Sequence, residues 1–160
     1  MNFAVEIQND KNYPLNPIQL ADAAKMVLSQ HELHTDSGLT VVLVDDDYIR
    51  NLNLQFRGID APTDVLSFPA DPPPVTIEGE PPYLGDIIIA FPYAGAQAQQ
   101  LGHALNDSLV LLVVHGTLHL LGYDHNSLAN RNAMWSAQEA ALVALSIPVS
   151  IVPSLEESNH

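Results

Sequence analysis

Apolar and polar positions alternate along FAVEIQN, residues 3–9, and a period of two predicts a strand. Asn16-Pro17 then suits a helix start, with asparagine as cap and proline in the first helical position. Over residues 18–33, Leu20, Ala23, Ala24, Val27 and Leu28 recur at helical spacing. GLTVVLVD (38–45) is short and β-branched and reads as a second strand. The run Asp45 to Asp47 can cap a helix through about Phe56, with Ile49, Leu52 and Phe56 on its apolar face. DVLSFP (64–69) and LGDIIIAF (84–91) predict two more strands, the first stopped by Pro69. Residues 70–82, with five prolines, predict a loop between them.

Pro92 opens a helix, PYAGAQAQQLG. Asn106 or Asp107 is suited to cap the next, SLVLLVVHGTLHLLG, which is apolar almost all round and therefore predicted to be buried. A last helix is expected over roughly 127–146, before Pro148. The order β-α-β-α-β-β-α-α-α predicts an α+β fold: a single mixed sheet of about four strands packed with five or so helices, the apolar helix at its centre. With 160 residues, one domain over 1–148 is expected, followed by a flexible tail over 149–160.

Charge changes the picture of possible partners. The chain has 19 acidic residues against five lysines and arginines, a net charge of −14. Such a surface repels nucleic acid at long range, and no cluster of basic residues offers a phosphate track. The absence of cysteine excludes disulfides, thiolate zinc sites and a cysteine nucleophile. No apolar run reaches membrane-spanning length, and MNFAVEIQND lacks the basic and apolar regions of a secretory signal. A cytoplasmic location, with no membrane partner, is the expectation.

The candidate chemistry lies in VVHGTLHLLGYDH (113–125), which holds His115, His119 and His125. Residues i and i+4 of a helix share a face, so His115 and His119 aim at one point. Gly122 falls where a helix would end, and the turn it permits can return His125 toward the pair. Three imidazoles leave a fourth tetrahedral position open, the pattern of catalytic rather than structural zinc. All three ligands are neutral, so such an ion keeps its full charge and attracts anions, a phosphodiester among them. The same spacing occurs in zinc proteases, where a glutamate follows the first histidine and acts as general base. Here that position is Gly116, which argues against efficient peptide hydrolysis. Met134 reads as core rather than as a methionine turn under the site.

HGTLHLLGYDH (115–125) resembles the signature of the YbeY family, the bacterial endoribonuclease and ribosomal RNA maturation factor. FRGIDAPTDVLSFP (56–69), LGDIIIA (84–90) and LNLQF (52–56) are similar to that family's other stretches, in the family's order. The resemblance implies one zinc ion on His115, His119 and His125. It also implies single-strand-specific RNA cleavage in 16S rRNA 3′-end maturation and ribosome quality control. Arg57 matches the family's arginine near the metal and is a candidate to contact phosphate in the transition state. Asp124 is a candidate to orient a ligand imidazole. Asp64 is a candidate to cap or fix the loop after Arg57 and Asp86 to sit near the cleft, each reading equally well as a turn residue, and His31, His34, His103 and His160 have no partner legible in sequence.

The nucleophile is either water on the metal or an RNA 2′-hydroxyl, and the sequence does not choose. Two other functions stand beside the nuclease. One is a different metal-dependent hydrolase on the same cage. The other is an assembly factor binding the small ribosomal subunit or its basic proteins, a role the acidic surface suits. DNA is not an expected partner, and weak affinity for free RNA is expected.

Overall fold

The computed structural model describes residues 3–34, 36–71 and 80–151. Four strands and five helices among these residues follow the order the pattern predicts. The strands are β1 (Ala4–Gln8), β2 (Gly38–Val44), β3 (Val65–Pro69) and β4 (Tyr83–Ala90). The helices are α1 (Pro17–Gln30), α2 (Asp46–Arg57), α3 (Phe91–Leu101), α4 (Leu105–Leu120) and α5 (Leu128–Ala144). One mixed sheet runs β1-β2-β4-β3, with β1, β2 and β4 parallel and β3 antiparallel on the edge beside β4. Parallel neighbours need a crossover, and α1 supplies it between β1 and β2.

Strand alternation divides the core. Leu39, Val41, Leu43, Val65, Ile87 and Ile89 face α1, α4 and α5 in the main core. Leu66, Ile88 and Val44 face the other way and pack with Ile49 of α2 in a smaller one. Burial covers Leu109 through Leu118 of α4 without interruption, as an all-round apolar helix requires. Each fully buried leucine there contributes about 1.5–3 kcal/mol of transfer free energy. The helix that carries two histidines is thus anchored through an unbroken run of buried residues.

Asn16 caps α1 through Gln19 N–H, and Asp45 caps α2 through Tyr48 N–H, as the residue types predict. Three details differ from expectation. The cap of α4 is Ala104, with no side-chain bond; Asn106 and Asp107 lie inside the first turn, where Asp107 still favours the helix dipole. Phe56 is 59% exposed instead of facing the core. The tail expected to be free from residue 149 begins with a single turn at 149–151 that buries Ile151 against the main core; residues 152–160 lie outside the described residues, as does most of the loop expected at 70–82. No helix among the described residues is long and apolar enough to cross a membrane.

Candidate metal centre

Helix α4 ends in a Schellman turn. Gly122, at φ 99°, donates to His119 O at 3.0 Å, and Tyr123 N–H donates to Leu118 O at 3.0 Å. A positive φ of this kind suits glycine. The reversed chain then brings His125 back, so that one ring nitrogen from each of His115, His119 and His125 lies within 4.8 Å of the others.

The two helical imidazoles are oriented by carbonyl oxygens. His115 Nδ1 donates to Gln138 Oε1 at 2.6 Å, and His119 Nδ1 donates to Tyr123 O at 2.9 Å. A carbonyl oxygen only accepts, so each neutral ring carries its proton on Nδ1. Both Nε2 atoms are then bare lone pairs, and they face each other at 3.1 Å. Two such lone pairs repel unless a cation sits between them. Two nitrogens on one tetrahedral zinc, each at about 2.05 Å, stand roughly 3.3 Å apart. The donor set therefore fits a borderline-soft divalent ion with an open position.

Helix α5 walls the site with Arg131, Trp135 and Gln138, one face at i, i+4 and i+7. Trp135 meets His115 and His125 edge-on at 6.0 and 5.8 Å, and the Arg131 guanidinium lies 5.2 Å from the Trp135 ring centre. Gln138 is fully buried. Sequence reasoning missed it, although a glutamine in the core-facing series Met134, Gln138, Ala141, Leu142 was a legible signal. His31 was also missed. It donates from Nδ1 to Val27 O at 2.8 Å and accepts from the Tyr123 hydroxyl at 3.0 Å. Tyr123 is thus pinned by α1 while its carbonyl orients His119.

A cleft of about 360 Å³ opens beside the triad, with His119, His125, Asp124, Arg57 and Ser67 among its lining. Arg57 ends α2, just before Gly58. Its guanidinium lies 3.5 Å from Asn53 Oδ1, and buried Asn53 also donates to Ala61 O at 2.8 Å. Asp124 Oδ1 accepts from His125 N–H at 2.8 Å, so it shapes the ligand loop through the backbone. Buried Asp64 accepts from Val65 N–H at 2.8 Å and fixes the entry to β3. Asp86 is not at the cleft: it lies on the sheet face opposite α4 and accepts from the Tyr83 hydroxyl.

Gly116 has a steric cause. A Cβ there would stand 2.7 Å from Ile87 Cγ2 and 3.1 Å from Ser67 Oγ. Helix α4 lies so close to β3 and β4 that the protease glutamate has no room.

Fold and site together define an α+β protein with a three-histidine centre open to a cleft. The model of the family described as endoribonuclease YbeY matches residues 6–146. The chain is 49% identical over 111 residues to endoribonuclease YbeY of Gloeobacter violaceus, covering 68% of this chain and 57% of that protein. It is 44% identical over 135 residues to endoribonuclease YbeY of Moorella thermoacetica, covering 81% and 83% respectively. The solution structure of a Thermotoga maritima protein superposes with a TM-score of 0.58 at 29% identity, covering 94% of each chain. The chain thus aligns with little more than half the length of the Gloeobacter relative and with most of the Moorella one. It belongs to the endoribonuclease YbeY family.

Proposed function

We propose that this protein is a zinc-dependent endoribonuclease that cuts single-stranded RNA, acting in the cytoplasm on the 3′ end of 16S rRNA and in ribosome quality control. The observation that carries the reading is the pair of facing Nε2 lone pairs, joined by His125 beside an arginine-lined cleft. The relatives' shared name supplies the bond to be cut.

His115, His119 and His125 would hold one zinc ion. When bound, zinc supplies a Lewis acid and a nucleophile source at neutral pH. The chain's own groups do the rest. Gln138 and the Tyr123 carbonyl keep the ligand protons on Nδ1. Arg57 contacts the non-bridging phosphate oxygens and offsets charge that develops on them. Asp124 holds the His125 backbone in place. The single domain expected over residues 1–148 is extended by the turn at 149–151, whose Ile151 packs in the main core.

Net charge favours a second, compatible role. A protein at −14 is drawn to basic partners such as ribosomal proteins of the small subunit. Docking of that kind would deliver it to RNA that its own surface repels. A protease-like hydrolase is disfavoured by the crowding at Gly116.

The test is elemental analysis with RNA cleavage, wild type beside His119→Ala and Arg57→Ala. About one zinc per chain, lost together with cleavage in His119→Ala, is expected. Arg57→Ala is expected to keep its zinc and lose roughly 100-fold or more in rate. A wild type that takes up no zinc, or that cleaves equally without it, would sink the reading. A 2′,3′-cyclic phosphate on the product would assign the attack to the RNA 2′-hydroxyl.

A further inference from the structure

Phe56 is 59% exposed although it falls in the apolar series of α2. It sits on α2 one residue before Arg57, and its ring meets that of Phe68 at 5.1 Å and 67°. Phe68 lies on β3 between Ser67 and Pro69, both of which line the metal cleft. The ring pair does not itself line the cleft: it lies on the sheet face opposite α4, an outer rim beside Arg57, the next residue of α2, which does line it. At 59% exposure the outer ring leaves much of its surface open to water, and Tyr48 at 55% is exposed on the same helix.

Charge makes this rim significant. Of the five basic side chains, Lys11 is bonded to Asp45, Arg50 to Asp60, and Arg131 lies over Trp135. Lys25 is on α1, and Arg57 alone among the five lines the cleft. A phosphate track cannot hold the substrate on such a surface. Stacking of bases on aromatic faces can, since it is independent of the chain's net charge.

We propose that Phe56, backed by Phe68, is a stacking platform for an unpaired nucleobase beside the phosphate that Arg57 contacts. The inference rests on the endoribonuclease reading and names what that site recognises. A base is free to lie on an open ring only when unpaired, so the platform also accounts for a preference for single strands. Paired bases present no face to it.

The experiment is equilibrium binding of a fluorescent single-stranded RNA to zinc-loaded protein, read by anisotropy before appreciable cleavage. Wild type is compared with Phe56→Ala, Phe56→Leu and Phe56→Trp at several salt concentrations. Phe56→Ala is expected to weaken binding roughly five- to a hundred-fold, the range for loss of one stacked base. Phe56→Leu should lose most of the same, since it keeps apolar area without a π-face, and Phe56→Trp should bind at least as well as wild type. Zinc content should be unchanged in all three. The slope of log affinity against log salt should be shallow, no steeper than about −1.5, as expected for one or two phosphate contacts on a single strand.

Wild-type binding that Phe56→Ala leaves intact would overturn the platform and leave the nuclease reading standing. So would a Phe56→Ala protein that binds RNA normally but fails to retain a ribosomal protein, which would make the rim a protein contact. A zinc-loaded wild type that neither binds nor cleaves RNA would overturn both.

Discussion

The side-chain oxygen of Gln138 on α5 lies 2.6 Å from Nδ1 of His115 on α4, and both residues are fully buried. One residue therefore decides which nitrogen of a candidate ligand is bare. The other end of the same amide, Nε2, is buried without a hydrogen-bond partner. A structure tolerates such a group at a cost of about 1–3 kcal/mol, which places the demand on the oxygen.

Gln138→Leu removes the acceptor and is expected to weaken zinc binding about 10- to 100-fold, the usual effect of losing a ligand's orienting partner. Gln138→Glu keeps an acceptor and removes the unpaired donor, so its zinc affinity should match or exceed that of wild type. Competition against a chromophoric chelator reads both. Equal affinities in Leu and Gln proteins would show that the amide does not set the tautomer.

The Tyr123 hydroxyl and His31 Nε2 stand 3.0 Å apart, and the carbonyl of the same tyrosine orients His119. His31→Ala and Tyr123→Phe each break that bond. Each should lower zinc affinity several-fold, and the double variant should be no worse than the worse single one. Additive losses in the cycle would mean that the two residues act separately.

Gly116→Ala would push a methyl into Ile87 and Ser67. The expected cost is about 1–3 kcal/mol of stability, as for other overpacked cores. Combined with Ile87→Ala, which empties the space, the two costs should not add. Denaturant unfolding of the four proteins measures the coupling. Gly116→Glu should fold poorly and gain no peptidase activity.

The Asp45 carboxyl, which caps the helix bearing Phe56 and Arg57, is held below its ordinary value of 3.8, chiefly by the Lys11 hydrogen bond and then by Tyr48 N–H. A carboxyl lowered on folding contributes stability that is complete above its unfolded value and is lost as pH falls through its folded one. Melting temperatures should therefore drop below pH 4. Asp45→Asn keeps a capping oxygen but cannot titrate, so it should start lower at pH 6 and fall less by pH 3. Parallel pH profiles would contradict this.

Much of this protein is local, and local features are legible in a sequence. The nine elements and their order follow from periodicity and from residues such as Asn16, Asp45 and Gly122, whose effects act within a turn or two. His115 and His119 share a face because helical geometry allows nothing else, and the family resemblance rested on the same contiguous residues. What sequence did not decide is what depends on groups far apart in the chain. Gln138 reaches His115 across 23 residues and His31 reaches Tyr123 across 92, contacts that exist only once α5 and α1 have packed on α4. Phe56 fits the apolar series of α2, yet in the last turn of that helix it meets the ring of Phe68 on the edge strand and stays 59% exposed. Gly116 read as a missing catalytic base until the sheet packed against it showed a close approach. Spacing along one helix determines which side chains point together; only the packing of separate elements determines what they meet.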